Sequence, residues 1–164
     1  EVEKQLSFMV NDWTVEGKEA TYRETCQWYA ERSFVVCNTV DRERGPTTHS
    51  VGILGWSAAT RNYTYHHYSQ FGRSRSEACY PNDRAGLTCV YADRDGAKLV
   101  ESRSHIWPVP GGAVFRHEQS ENGGPWKETV RLNYVPRKRG RHDHSPIWRL
   151  RRSARHGALH ALTV

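Results

Sequence analysis

The sequence predicts an all-β protein: an antiparallel, up-and-down barrel of about ten strands that follows a short N-terminal helical turn. Two observations favour this fold class. Short runs rich in aromatic and β-branched residues recur along the chain, and clusters of Gly, Pro, Asn or Asp separate them. Between Val10 and Pro136 no segment has the 3.6-residue apolar period of an amphipathic helix.

The elements follow one another without a long interruption. Leu6, Met9 and Val10 share one side of the segment Val2–Val10, which predicts a helical turn there. Alternation and turn residues then predict strands at Trp13–Lys18, Tyr22–Tyr29, Ser33–Thr39, Thr47–Trp56, Asn62–Ser69, Ser74–Tyr80, Gly86–Ala92, Lys98–Trp107, Ala113–Ser120 and Trp126–Tyr134.

The connections between the later strands read "QFGR", "PNDRAG", "DRDGA", "PVPGG" and "ENGGP", which supply the Gly and Asn that tight turns need. Strands joined in this way form a meander, and closing the meander into a barrel removes its exposed edges. A sandwich is the alternative, but no long crossover connection favours it. A barrel of this size is wider than side chains can fill, so we expect an internal cavity.

Charge divides the chain into two parts. Residues 1–136 carry 16 Lys and Arg against 17 Asp and Glu, a net of −1, whereas residues 137–164 carry eight against one, a net of +7. We therefore predict a barrel domain at 1–136 and an irregular, basic, disordered tail at 137–164. Contact of this tail with nucleic acid or an anionic surface is a functional alternative, although we do not expect the barrel itself to bind nucleic acid.

Composition narrows the other possibilities. No apolar run reaches the ~18 residues of a membrane-spanning helix, so a soluble protein is expected. The chain begins at Glu1 without a signal peptide, which leaves export and compartment open. Cys26 and Cys37, and likewise Cys79 and Cys89, lie on consecutive strands and could form two disulfides. Four small buried thiols are the alternative, and it is the one we favour.

Several segments resemble a known family. "LSFMVNDWTVEGKEA", "ETCQWYAERSFVVCNT", "HSVGILGWSAATRNYTYHHYSQFG" and "WKETVRLNYVPRK" together resemble the lipocalin-like (calycin) bacterial domains of unknown function, over about residues 5–138. Asn11 departs from the glycine usual before the Asp-Trp pair, and the basic tail lies outside the pattern.

The resemblance implies a barrel that is open at one end to a hydrophobic ligand, in the bacterial cytoplasm or periplasm. It implies no agreed activity. The haem-binding barrels of the nitrobindin type are more distant relatives, and no residue here matches their proximal histidine by motif. We therefore expect no cofactor.

The stretch "YTYHHYSQFGRSR" contains two adjacent histidines, and in a strand their side chains lie on opposite faces. Side chains alternate between the two faces, so Tyr63, Tyr65 and His67 share one face while His66 lies on the other. The two imidazoles cannot both bind one metal ion from a regular strand, and no metal site is predicted. The face with His67 is taken as the cavity wall.

The strand Lys98–Trp107 is polar on both faces. Glu101, Arg103, His105 and Trp107 share one face, and if this face points inward the cavity contains a Glu101–Arg103 pair beside Trp107, with His117 as a possible neighbour. Alternation cannot decide between inward and outward. Elsewhere, Trp13, Val15, Trp28 and Ile53 indicate the inward register of their strands.

We expect the chain to bind a small hydrophobic or aromatic molecule inside the barrel and not to act as an enzyme. A homodimer is compatible with this expectation. An acid–base enzyme of the isomerase or cyclase type, with His67 or His105 as its base, is the main alternative. No catalytic residue is assigned. The predicted ligand-binding residues are Trp13, Trp28, Tyr63, Tyr65, His67, Arg103, His105 and Trp107.

Overall fold

A computed structural model describes residues 1–43 and 45–138 and confirms the all-β class. A helix and a 3-10 turn precede ten strands. The elements are α1 (Val2–Leu6), the 3-10 turn Ser7–Met9, β1 (Asp12–Val15), β2 (Tyr22–Tyr29), β3 (Phe34–Asp41), β4 (Thr48–Ser57), β5 (Asn62–Ser69), β6 (Ser74–Pro81), β7 (Leu87–Asp95), β8 (Lys98–Val109), β9 (Gly112–Glu121) and β10 (Lys127–Pro136).

The strands form one closed antiparallel barrel in which each strand pairs with the next along the chain. Pairing of β1 with β10, from Trp13 opposite Pro136 to Val15 opposite Tyr134, closes the ring. The ring is closed, as predicted for an up-and-down barrel, but the short strand β1 pairs only with Tyr134–Pro136 at the end of β10. The architecture is consistent with a calycin-like fold. The predicted basic tail beyond residue 138 lies outside the described residues.

Tight turns keep neighbouring strands in register. Gly72 in the β5–β6 turn has φ +73°, and Gly111 in the β8–β9 turn has φ +80°. Both angles lie in the left-handed region, which an L side chain enters only with strain. The glycines predicted as turn residues therefore sit where the backbone needs them.

The N-terminal segment closes one end of the barrel. The Leu6 side chain is fully buried in the core, and Gln5 Nε2 donates a hydrogen bond to the Gly86 carbonyl in the β6–β7 turn at 2.9 Å. Trp13 Nε1 donates to the Met9 carbonyl at 2.7 Å, and Arg32 in the β2–β3 turn forms an ion pair with Glu3. A five-residue helix is too short to be stable alone, so these contacts must hold it in place.

Two disulfides join directly opposite residues of neighbouring strands. Cys26 bonds Cys37 across β2 and β3, and Cys79 bonds Cys89 across β6 and β7. Our preference for four buried thiols was therefore wrong. Sequence reasoning placed the members of each pair on consecutive strands, but opposition within the ladder depends on register, which the sequence does not state directly.

Candidate functional site

The barrel interior contains a cavity of about 290 Å³. Its lining runs from Met9, in the segment that closes one end, to Ser50, His67 and Arg75 at the opposite end. The opposite end carries the β3–β4 and β5–β6 connections, where a second, more open depression also includes His67 and Arg75. The cavity therefore has a closed floor and an open mouth.

The floor of the cavity is apolar. Met9, Leu54, Leu87, Ile106 and Phe115 contribute side chains to its lining. Leu87 is fully buried and Leu54 is 3% exposed. Burial of such side chains stabilises the fold by about 1.5–3 kcal/mol each, so the floor serves both as core and as cavity wall.

A hydrogen-bonded chain of hydroxyls ends on a carboxylate in the cavity wall. Tyr22 and Glu24 lie two residues apart on the inner face of β2, and the Tyr22 hydroxyl donates to Glu24 Oε2 at 2.8 Å. Thr39 Oγ1 donates to the same oxygen at 3.0 Å. The Tyr134 hydroxyl lies 3.0 Å from that of Tyr22. Glu24 Oε2 therefore links β2 to β3, and the Tyr22 hydroxyl extends this hydrogen-bonded chain to Tyr134 on β10.

Burial raises the pKa of the Glu24 carboxyl above its ordinary value, and the hydrogen bonds from Tyr22 and Thr39 offset this only in part. The other oxygen, Oε1, lies 3.5 Å from Cys26 Sγ. Glu24, Cys26 and Cys37 place potential ligand atoms within 4.8 Å of one another. Both sulfurs are bonded in a disulfide, however, and so cannot act as thiolate ligands for a metal ion.

A second carboxylate in the wall is already paired. Glu77 is 3% exposed, and its Oε1 accepts a hydrogen bond from Arg75 Nε at 2.6 Å. Burial raises the pKa of Glu77, and the charge and hydrogen bond of Arg75 oppose that shift. The Arg75 guanidinium also lies 5.2 Å from the centre of the Tyr91 ring, so Arg75 is held at the mouth by both partners.

Tyr65 and His67 line the cavity on β5, as the alternation predicts. The Tyr65 ring crosses Gly52 of β4 so closely that a Cβ there would lie 2.5 Å from its hydroxyl oxygen. Burial, and then the charge of Arg75, lower the pKa of His67. The His67 imidazole is therefore neutral at physiological pH and faces the cavity mouth.

One polar atom of the cavity wall has no hydrogen-bond partner within residues 1–43 and 45–138. This atom is the buried Ser104 Oγ. Buried polar groups are almost always satisfied. Unsatisfied atoms that line a cavity are the expected feature of a site that accepts a polar group or water.

The other predicted site residues divide into two groups. Trp13, Trp28 and Tyr63 belong to the core near the closed end, where Trp13 is 6% and Tyr63 is 3% exposed. They support the floor but do not line the cavity. Ile53, which we expected to point inward, does not line it, because Leu54 is the inward residue of β4.

Arg103, His105 and Trp107 lie on the outer face of β8, so the inward placement considered for them is wrong. Ser104 and Ile106, the intervening residues, line the cavity. They pair with His117 and Phe115 of β9, which sets the inner face of both strands. Trp107 is nevertheless 8% exposed, because the Arg84 guanidinium covers its ring at 4.7 Å.

The outer face of β8 and β9 carries a compact charge cluster around Glu118. Arg103 Nε donates to Glu118 Oε2 at 2.6 Å, and His105 Nε2 lies 3.0 Å from the same oxygen. Arg116 lies 3.6 Å from it. The expected Glu101–Arg103 pair is therefore replaced by Arg103–Glu118, and His117 points to the other face.

This Glu118 cluster (Arg103, His105, Arg116 and Glu118) is largely closed by its neighbours. The Trp126 ring stacks on the Arg103 guanidinium at 4.1 Å, and Thr88 Oγ1 lies 2.9 Å from His105 Nδ1. Both imidazole nitrogens of His105 are thus engaged, and burial lowers its pKa although the hydrogen bond to Glu118 opposes the shift.

Sequence reasoning missed most of the cavity wall. Glu24, Arg75, Glu77 and Ser104 were not predicted as site residues, because charged and hydroxyl side chains usually lie on the solvent face. One signal was available for Glu24: it shares the strand face of Trp28, which we took as inward. The same alternation applied over the whole of β2 identifies Tyr22 and Glu24 as inward-facing.

Comparison with protein-family models gives no match, and none of the curated proteins matches the chain. Among the described residues, no helix has the length and apolar character needed to cross a membrane.

Proposed function

We propose that this chain is a binding protein, not an enzyme, and that the interior of its lipocalin-like barrel holds a small, largely apolar molecule with an aromatic ring. The observation that carries the proposal is the 290 Å³ cavity, which has an apolar floor, an open mouth and one buried wall hydroxyl, Ser104 Oγ, without a partner among the described residues. An apolar cavity with a few convergent polar groups is the usual form of a small-molecule site.

Energetics also favour an occupied cavity. Apolar surface that stays unpacked forfeits dispersion contacts, and a ligand ring against Leu54, Leu87 and Ile106 would restore them. Ligands of the size that such a cavity accepts gain at most about 1.5 kcal/mol per heavy atom. A compound of one or two rings is therefore sufficient for micromolar binding.

The test is a panel of neutral one-ring and two-ring aromatic compounds, including 3-ethylindole, screened by ligand-observed NMR and measured by titration calorimetry. Ser104→Phe places a ring in the cavity and should abolish binding. The matched control is Val90→Phe, which adds the same ring to the outer face of β7, where Val90 is 38% exposed. This control should bind as the unaltered protein does.

Two results would contradict the proposal. Failure of the unaltered protein to bind any compound would leave the cavity without a binding function. Equal binding by the Ser104→Phe variant would place the site outside the barrel interior. Circular dichroism of both variants shows whether each keeps the fold, so that a loss of binding can be separated from unfolding.

A second candidate function is proton transfer by His67, favoured by one observation: the imidazole faces the cavity in its neutral, basic form. An enzyme of this kind would catalyse exchange of acidic C–H protons in a bound cyclic ketone. Incubation in D₂O, followed by NMR, would detect the exchange, and His67→Asn should remove it. Exchange that persists in that variant would exclude His67 as the base.

A further inference from the structure

We propose that Glu24 binds a positively charged nitrogen of the ligand, so that the barrel selects small aromatic amines over neutral or acidic molecules of the same shape. This inference rests on the proposed binding function and adds the chemical class of the ligand. Four features of the cavity wall carry it: an unused carboxylate oxygen, the charge balance, the aromatic rings and the proton equilibrium of Glu24.

The first feature is the uneven use of the two Glu24 oxygens. Oε2 accepts hydrogen bonds from Tyr22 and Thr39, at 2.8 Å and 3.0 Å. Oε1 has one polar contact, Cys26 Sγ at 3.5 Å, and a disulfide sulfur carries no hydrogen to donate. In the described part of the chain Oε1 therefore lacks a donor. Carboxylate oxygens form their strongest hydrogen bonds with charged donors such as ammonium groups.

The second feature is the charge balance of the cavity wall. Its charged side chains are those of Glu24, Arg75 and Glu77. Arg75 forms its ion pair with Glu77 at 2.6 Å, which leaves the charge of Glu24 without a counter-ion among the wall residues that the structure describes. His67 does not supply one, because burial and Arg75 lower its pKa. Enclosed charges require pairing, and a single ammonium group on the ligand would provide it.

The third feature is the surrounding aromatic rings. Tyr22, Tyr65 and Tyr134 all line the cavity, and the Tyr22 and Tyr134 rings meet edge to face with centroids 6.0 Å apart. Aromatic faces attract organic cations by about 0.5–2 kcal/mol. The Tyr65 hydroxyl also lines this cavity, and burial and then the charge of Glu24 raise its pKa.

The fourth feature is the proton equilibrium of Glu24. The groups that face it are the hydroxyls of Tyr22 and Thr39, the Cys26–Cys37 disulfide, and at longer range Tyr65 and Tyr134. None of these is a cation. Burial raises the pKa of Glu24 in the empty cavity, and a bound ammonium would lower it again. Binding of an amine at mildly acidic pH should therefore release a proton from the protein.

Three probes with one indole ring separate the possibilities: tryptamine is a cation, 3-ethylindole is neutral and indole-3-propionate is an anion. Titration calorimetry of the full chain should give a Kd for tryptamine at least about tenfold below that for 3-ethylindole, as expected for a hydrogen bond between charged groups. Repeating the tryptamine titration at several pH values between 4.5 and 7, in buffers of different ionisation enthalpy, should show the released proton.

The decisive variant is Glu24→Gln, which keeps the shape and the acceptor for Tyr22 but removes the charge. It should lose the preference for tryptamine and the proton release while it still binds 3-ethylindole. Glu101→Gln is the matched control: it removes the same charge from the outer face of β8, where Glu101 pairs in register with Ala92 and Ser120. This control should keep the tryptamine preference.

The outcomes separate the two proposals. Binding of 3-ethylindole without a preference for tryptamine would overturn the role of Glu24 and leave the proposed binding function intact. Stronger binding of indole-3-propionate would overturn it too, in favour of Arg75. A tryptamine preference that survives in Glu24→Gln would place the cation elsewhere. If neither these probes nor the wider panel bind, both proposals fail.

Discussion

Two carboxylates on the two sides of the barrel wall are held in opposite ways. Glu118, on the outside, has two arginines and a histidine within 3.6 Å of its Oε2. Glu24, on the inside, is held by the hydroxyls of Tyr22 and Thr39. The outer carboxylate is surrounded by positive charge that the protein supplies, whereas Glu24 has no cationic partner among the described residues of the cavity wall.

The pKa values of these two carboxyl groups are shifted in opposite directions. Burial acts to raise the pKa of Glu118, but the hydrogen bonds from Arg103 and His105 and the charges of Arg103 and Arg116 together lower it. Burial raises the pKa of Glu24, and its hydroxyl partners do not reverse that shift. An ion-pair network that surrounds a carboxylate with cations is typical of residues with a structural role. An enclosed acid without a counter-ion is more typical of a site.

The largest expected effect concerns the disulfides on the inner side. Reduction of Cys26–Cys37 and Cys79–Cys89 should lower the free energy of unfolding by about 2–3 kcal/mol for each bridge, because each closes a loop of about ten residues. Urea unfolding with and without a phosphine reductant measures the loss. Equal midpoints would mean that the hairpins are fully ordered by their backbone ladders alone.

The next effect contrasts the two carboxylates directly. Glu118→Gln should destabilise the protein by about 1–3 kcal/mol, below the value for a fully buried pair because Arg103 and Arg116 are partly exposed. Glu24→Gln should change the stability of the unliganded protein by less than about 1 kcal/mol, since Gln can still accept from Tyr22 and Thr39. Urea unfolding of both variants at about pH 7 measures the two losses in the free energy of unfolding. Equal losses would contradict the difference between the two carboxylates.

Much of this architecture could be predicted from local sequence. β2 and β5 begin and end where predicted, since their runs of aromatic and β-branched residues are bounded by turn residues. Alternation also placed His67 on the face opposite His66. These inferences depend only on period and turn chemistry, which neighbouring residues determine.

Which face of β8 points inward could not be predicted in that way. The strand is polar on both faces, with Ser102 and Ser104 inside and Arg103 and His105 outside. Trp107 at the end of the strand does not mark the inner face, because the Arg84 guanidinium from the β6–β7 turn covers its ring from outside. Pairing of Arg103 with Glu118 depends on the register of two strands, which is a non-local property.

A pH titration of stability sharpens the contrast between the carboxylates. The raised pKa of Glu24 gives a contribution that is complete below its ordinary value of 4.5 and is lost as pH rises through the folded-state pKa. The lowered pKa of Glu118 gives a contribution that is present above 4.5 and is lost as pH falls. The free energy of unfolding of Glu24→Gln, relative to that of the unaltered protein, should therefore rise from about pH 4.5 to pH 7.

The control for this titration is Glu118→Gln, whose disadvantage should instead shrink as the pH falls below 4.5. His67, His105 and His117 have lowered pKa values and destabilise the fold below about pH 6.5. Glu24 is not among the causes of these shifts, so the histidine contributions cancel for Glu24→Gln. Glu118 acts on both His105 and His117, so the Glu118→Gln comparison is made below pH 4.5. A parallel pH dependence for the two variants would show that the inner and outer carboxylates share one environment.

The smallest expected change in stability tests whether the inward-facing hydroxyls of β8 stabilise the fold or are left available for a ligand. Ser104 Oγ is buried and has no hydrogen-bond partner in the described ranges 1–43 and 45–138, so Ser104→Ala should stabilise the empty protein, by up to about 1 kcal/mol. Ser102 provides the matched control, because Gln119 Nε2 donates to its Oγ at 3.4 Å; Ser102→Ala should be neutral or destabilising. Thermal unfolding resolves the difference. If Ser104→Ala loses stability, the hydroxyl is already satisfied by water in the cavity, and a ligand must displace that water in order to bind.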